Sequence, residues 1–138
     1  MKVGELCVRK VEVSAPGDGA VAAARHMKEA QVGTLVVVDE LGRPLGIVTD
    51  RDLMVRCIAE ERDPRRTTVG ALMSGPVAWV HEETSLEDAL EEMARLRVRR
   101  FAVVDARERL VGLLALDDAL CRELGETSPL ARALRATM

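Results

Sequence analysis

The sequence predicts an α+β fold built as a tandem repeat of two strand–helix–strand–strand–helix units. Two observations predict it: the chain superposes on itself without a gap, and each copy carries a helix-spaced apolar segment followed by two short apolar runs rich in β-branched residues. The shift that carries Val3-Gly4-x-Leu6 onto Val69-Gly70-x-Leu72 also carries Val11 onto Val77, Ala23 onto Ala89, Met27 onto Met93 and Val32 onto Val98. It further superposes Val37-Val38-Asp39 on Val103-Val104-Asp105, Arg43 on Arg109, Gly46 on Gly112 and Asp52 on Asp118. Self-similarity over this length marks each copy as one structural unit.

The elements follow in order. A short strand is expected near Val11 to Val13. In the first helix Asp18 is the expected cap, with Val21, Ala24 and Met27 on one face. Leu35-Val36-Val37-Val38, a polar turn through Asp39, Gly42 and Pro44, and Leu45-Gly46-Ile47-Val48 read as a hairpin. A second helix starts near Thr49 to Asp52 and carries Leu53, Met54, Cys57 and Ile58. In the second copy Thr84-Ser85-Leu86-Glu87 reads as a capping box ahead of Leu86, Ala89, Leu90, Met93 and Leu96 at helical spacing. The expected boundaries are residues 1–60 for the first repeat, 61–68 for a charged, proline-broken linker, and 69–124 for the second repeat. Residues 125–138 form a tail in which Ser128-Pro129, with Leu130, Leu134 and Met138, signals a short helix. A unit this small cannot bury both faces of its sheet alone, so the two copies are expected to pack together.

Composition narrows the function. The 138 residues are 48% hydrophobic and 31% charged with a net charge of -3, and they include one Trp, one Phe and no Tyr. Apolar residues recur throughout, which argues against disorder. The longest apolar stretch, Leu110 to Leu116, is far short of the roughly 20 residues that span a bilayer. The segment Met1 to Glu5 shows no secretory signal, so a cytoplasmic location and no membrane partner are expected. A slightly acidic chain nearly without aromatic rings has neither the basic field nor the stacking surfaces of a nucleic-acid binder. Cys7, Cys57 and Cys121 are too widely spaced for a disulfide framework or a zinc knuckle and read as reduced core thiols; no metal site is expected.

The most specific local feature is Gly46-Ile47-Val48-Thr49-Asp50-Arg51-Asp52-Leu53, where a strand runs into a helix. Free backbone N–H groups and the helix dipole make such a junction an anion site, and the Thr49 hydroxyl and Arg51 guanidinium suit phosphate. Asp52, one turn in, could accept bonds from a pair of sugar hydroxyls. Equally, Thr49-x-x-Asp52 is a capping box that starts the helix, and the two roles are compatible. The equivalent Gly112-Leu113-Leu114-Ala115-Leu116-Asp117-Asp118 keeps the carboxylate and loses the hydroxyl and guanidinium, so the Thr49 site is expected to be the stronger. Arg100, in the Arg95 to Arg100 cluster, enters a strand and could reach a phosphate, although such a run commonly forms a solvated face.

Other motifs carry less. Gly17-Asp18-Gly19 with Asp39 farther on has the outline of a dinucleotide fingerprint, but its counterpart Glu82-Glu83-Thr84-Ser85 has no glycine, and the chain is short for a doubly wound sheet. His26 and His81 lack metal-ligand spacing and a nucleophile beside them, so both read as structural. No catalytic residue is assigned, and an enzyme is not expected. Trp79 is expected to pack within the cleft between the copies.

The tandem units and the Gly46 to Leu53 stretch resemble the CBS-domain family, whose paired form is called a Bateman module. The resemblance covers roughly Val3 to Leu124. It implies two strand–helix–strand–strand–helix CBS units packed sheet to sheet with pseudo-twofold symmetry. It also implies a non-catalytic regulatory module that requires no cofactor. Such a module binds AMP, ADP, ATP or S-adenosylmethionine as regulatory ligand, forms a homodimer and signals to a regulated partner protein. By the same resemblance the stronger cleft takes Thr49, Arg51 and Asp52 with Ala78 and Val98 from the other repeat. The weaker cleft takes Asp118 and Arg100 with Glu12 and Val32, and Ala115 stands where the family pattern has Ser or Thr. A structural dimerisation or interaction module with no physiological ligand is the alternative.

Overall fold

The computed structural model describes residues 1–137. Met138, named above with the tail helix, lies outside the described residues. The chain divides into two units. The unit formed by residues 10–77, with 108–110, holds β1 (Val13–Ser14), α2 (Ala20–Ala30), β2 (Thr34–Val38), β3 (Pro44–Thr49), α3 (Asp50–Asp52) and α4 (Val69–Leu72). The other joins residues 1–9 to 78–107 and 111–138. It holds α1 (Val3–Leu6), β4 (Trp79–His81), α5 (Leu86–Leu96), β5 (Arg100–Val104), most of β6 (Leu110–Ala115), α6 (Leu116–Leu124) and α7 (Pro129–Thr137).

Each unit has one three-stranded sheet, ordered β1-β2-β3 and β4-β5-β6. The first strand runs parallel to the second, with Val13 opposite Val36 and Trp79 opposite Ala102. In the hairpin, β2 and β3 are antiparallel with Val37 opposite Gly46, and the register slips between Val37 and Val38, where Pro44 cannot donate to the ladder. Leu35, Val37 and Val48 of the sheet meet Ala20, Ala23 and Met27 of α2 and Val69 and Leu72 of α4 in one core cluster. Phe101, Val103 and Leu114 do the same with Leu86, Ala89, Met93 and Val3.

The repeat is visible in the backbone bonds. Val36 N–H donates to Glu12 O as Ala102 N–H does to Ala78 O, and Asp50 N–H donates to Gly33 O as Leu116 N–H does to Arg99 O. The turn after α2 has Gln31 in the left-handed region, and Arg97 takes that conformation after α5.

The segment that opens each sequence copy is bonded to the unit built on the other copy. Val3 and Gly4 N–H donate to Thr84 and Glu82 O, and Val8 and Leu113 exchange backbone bonds beside β6. In the residue 10–77 unit, Val69 and Gly70 N–H donate to Asp18 and Pro16 O, and Ile47 and Ser74 exchange bonds beside β3. This pairing needs glycine on the sheet. A Cβ on Gly46 would lie 2.5 Å from Ser74 O, and one on Gly112 would lie 2.8 Å from Val8 O.

Three local expectations are corrected. Ser85, not Thr84, caps α5, its hydroxyl accepting from Asp88 N–H at 3.1 Å. Gly19, which matches Ser85 in the repeat, caps α2 without a side chain, and the Asp18 carboxylate instead accepts from Ser14 Oγ and Ala15 N–H, both at 2.9 Å. Past α3 the helix widens into a π-helical turn, Leu53–Ile58. That turn rotates the face: Cys57 is buried, while Met54 is 67% and Ile58 60% exposed. In the regular α6, Cys121 is buried instead.

Gly46→Ala and Gly112→Ala should each destabilise the fold by about 1–3 kcal/mol, because a backbone carbonyl must move to admit the methyl. Gly17→Ala, where a Cβ meets nothing within 4 Å, should stay within about 0.5 kcal/mol. Urea unfolding of the three variants checks this, and equal midpoints would contradict it.

Candidate functional site

The two strand-to-helix junctions put their side chains in place by the same local logic. β3 delivers Thr49 in an extended conformation, and the chain then turns into α3. Thr49 Oγ1 accepts from Asp52 N–H at 3.1 Å, and Asp52 Oδ2 accepts from Thr49 N–H at 2.9 Å, closing a reciprocal capping box. Asp50 N–H is taken by Gly33 O at 2.9 Å and Arg51 N–H by Asp50 Oδ1 at 2.8 Å. The free N–H groups expected at this junction are therefore already satisfied, by the short acceptors of Thr49, Asp50 and Asp52 that fold back on the first turn and by Gly33 O.

What remains outward is side-chain chemistry. Asp52 Oδ1 faces Arg56 Nε at 3.7 Å, and Arg56 Nη1 also donates to Leu72 O and Met73 O, both at 3.2 Å. Among the described residues the exposed Arg51 guanidinium has no polar partner. A hydroxyl, an uncommitted guanidinium and a second carboxylate oxygen are left there to meet anionic and hydroxyl-bearing groups.

In the second copy β6 ends at Ala115, which supplies no side-chain cap. Asp118, 7% exposed, is hydrogen-bonded to the Ala115 backbone and faces Arg135 Nη1 of α7 at 3.9 Å. Burial pushes its carboxyl above the usual carboxylate range, against the opposing pull of Arg135 and the Ala115 bond. Asp117 pairs with Arg99 at 2.8 Å. Arg100 is exposed at the start of β5, with no polar partner among the described residues.

The other sequence-assigned residues sit as follows. Glu12 Oε2 is 2.8 Å from His26 Nε2, in the residue 10–77 unit that also holds the partly buried Val32. Ala78 and Val98 flank the core cluster of the other unit. Trp79, expected to be packed, is 44% exposed and meets His81 edge-to-face at 5.2 Å. The fingerprint reading loses its acid: Asp39 accepts from Leu41 and Arg43 N–H and from Arg43 Nε, so the hairpin turn occupies it. The Arg43 backbone bond foremost holds its carboxyl below the ordinary range. All three cysteines are free and buried. Sequence reading missed Arg56 and Arg135. Arg56 follows Asp52 at i,i+4, which spacing alone could have shown; Arg135 reaches Asp118 only because α7 folds back on α6.

Both copies match the CBS domain family model, over residues 3–58 and 69–125. The chain belongs to the CBS-domain family. It is 32% identical to hypoxic response protein 1 of Mycobacterium tuberculosis over 126 residues, 91% of this chain and 82% of that protein. The crystal structure of Hypoxic Response Protein I with two coordinated zinc ions superposes with a TM-score of 0.76 at 28% identity, covering 91% of this chain and 100% of that one. The cytosolic domain of the Mg2+ channel MgtE in complex with ATP superposes with a TM-score of 0.74 at 31% identity, over 86% of this chain and 47% of that one. The chain spans 61% of the length of an uncharacterized Methanopyrus kandleri protein to which it is 32% identical. Among the described residues of this CBS pair, no group of three or more His, Cys, Asp or Glu is placed to hold a metal ion, and no helix is long and apolar enough to cross a membrane.

The raised Asp118 pKa has a signed consequence. Between the ordinary carboxylate value and the raised one, the folded protein holds a proton that the unfolded chain has lost, so stability falls as pH rises through that window. Asp118→Asn removes this titration. Its unfolding free energy relative to the native protein should climb with pH across the window and level off above it. A difference that stays flat in urea titrations from acid to neutral pH would contradict the assignment.

Proposed function

We propose that this CBS pair is a non-catalytic, cytoplasmic regulatory module that binds an adenosine-containing ligand, AMP, ADP, ATP or S-adenosylmethionine, and signals to a partner protein. The observation that carries the reading is the Thr49–Asp52 junction, where a hydroxyl and a carboxylate meet at one helix start and Arg51, between them in sequence, has a guanidinium with no polar partner among the described residues. The likeness to the ATP-bound MgtE domain supports the ligand class. In this reading the Asp52 carboxylate accepts the ribose hydroxyls, while Thr49 Oγ1 and Arg51 meet phosphate. Asp118 and Arg100 make a weaker counterpart, because Ala115 has no hydroxyl to offer.

A second reading is favoured by two observations. The Thr49 and Asp52 side chains already satisfy each other's backbone. A groove of about 450 Å³, lined by Ala20, Val21, Ala24, Leu53, Met54 and Ile58 among others, opens between α2 and the π-helical turn. Such a face suits a second copy of the chain, and a homodimer is proposed under either reading. In the second reading the protein is an interaction module with no physiological ligand.

Calorimetric titration with AMP, ADP, ATP, S-adenosylmethionine and NAD, run on the native protein and on Asp52→Ala and Thr49→Ala, separates the two. The sensor reading expects saturable binding of at least one adenosine ligand, weakened tenfold or more in Asp52→Ala with the fold intact. Equal affinity in that variant would sink the site. The interaction reading expects no heat from any of them, with Thr49→Ala costing about 1 kcal/mol of stability through its lost cap. NAD binding that survives Asp52→Ala and disappears in Gly19→Val would instead point to the Gly17 to Gly19 loop.

A further inference from the structure

The tail helix α7 has no counterpart in the first copy, yet it reaches the carboxylate that the repeat places at Asp118. It folds back along α6, with Ala131 buried and the Cys121 Sγ 3.8 Å from Ala131 O. Its far end carries Arg135 to within 3.9 Å of Asp118 Oδ1. In both copies an arginine therefore faces the carboxylate, but the two are held differently. Arg56 sits on the same helix as Asp52 and is also bonded to Leu72 O and Met73 O, so losing Asp52 leaves it anchored. Arg135 has Asp118 as its one polar partner among the described residues.

The helix that carries Arg135 is short, and besides Ala131 only Leu134 among its described apolar side chains is even half-buried. It has 9 residues, and Ala131 is its one buried side chain among those described. Leu130 is exposed at 56%. A helix this short is marginal in isolation, so its order depends on the few contacts that dock it.

We propose that α7 is a releasable latch on the second repeat, held closed by Arg135 on Asp118, and that a ligand hydroxyl donating to Asp118 releases it. The second half rests on the nucleotide reading above; the first does not. The proposed latch gives that repeat an output element of its own, since occupancy at Asp118 becomes freedom of α7.

The test is thiol labelling of the full chain, with the rate at each cysteine resolved by peptide mass. Cys121 lies under α7, while Cys7 and Cys57 are buried elsewhere and serve as internal controls. Arg135→Ala should speed labelling of Cys121 by about two- to five-fold, the range a partly exposed ion pair supports, leave Cys7 and Cys57 unchanged, and be partly rescued by Arg135→Lys. An unchanged Cys121 rate, or equal acceleration at all three cysteines, overturns the latch. Saturating ATP should speed Cys121 labelling in the native protein and fail to do so in Asp118→Asn. If ATP binds by calorimetry and the Cys121 rate stays fixed, the coupling is overturned while the nucleotide reading stands. If no adenosine ligand binds and Arg135→Ala still exposes Cys121, the nucleotide reading fails and the latch stands.

Discussion

The close approach of backbone to backbone at Gly46 and Gly112 is the constraint on which the other features depend. At each glycine a segment from the opening of the neighbouring sequence copy pairs beside the last strand, and a single methyl would collide with its carbonyl. The pairing brings Val69 and Leu72 into one core and Val3 and Cys7 into the other. It also fixes the course of β3 and β6, whose last residues, Thr49 and Ala115, are the helix caps of the two candidate sites. Glycine in the motif thus serves packing, and the residues three to six positions later start the next helix and are the ones proposed for recognition.

From that shared frame the two junctions diverge through few differences. Thr49 gives the first a hydroxyl cap and a reciprocal bond with Asp52, whereas Ala115 leaves Asp118 with a backbone bond alone. Burial of Asp118 is then opposed mainly by an arginine 3.9 Å away on another helix, and desolvation wins, leaving its carboxyl raised. The π-helical turn adds a further asymmetry. It turns Met54 and Ile58 outward beside α2, while the regular α6 turns Cys121 toward the tail helix. Two copies of one sequence pattern thereby present an apolar groove in one unit and a covered helix in the other.

Much of this was legible from residue order. The hairpin around Asp39, Gly42 and Pro44 and the Thr49-x-x-Asp52 box are set by short-range chemistry, and spacing alone exposes short-range chemistry. The errors have physical causes of the same scale. Asp18 was expected to cap α2 because Asp is a good N-cap, but Ser14 and Ala15 compete for its carboxylate and win. The π-helical turn left no mark in the apolar spacing of Leu53, Met54, Cys57 and Ile58, since one extra residue per turn changes the face without changing the composition. Arg135 was illegible because a contact between Asp118 and a residue near the chain end is decided by how α7 docks, which local pattern does not encode.

In the proposed function the Thr49–Asp52 junction meets a ligand rather than serving only as a cap. Amide-resolved NMR of the native protein titrated with ATP and with AMP tests that most directly, because each backbone N–H there has a distinct partner that a ligand must disturb. With at least one of them the largest shifts should fall on Thr49, Asp50, Arg51 and Asp52 and saturate together. Saturating shifts confined to other segments, with these four amides unmoved by either nucleotide, would contradict it.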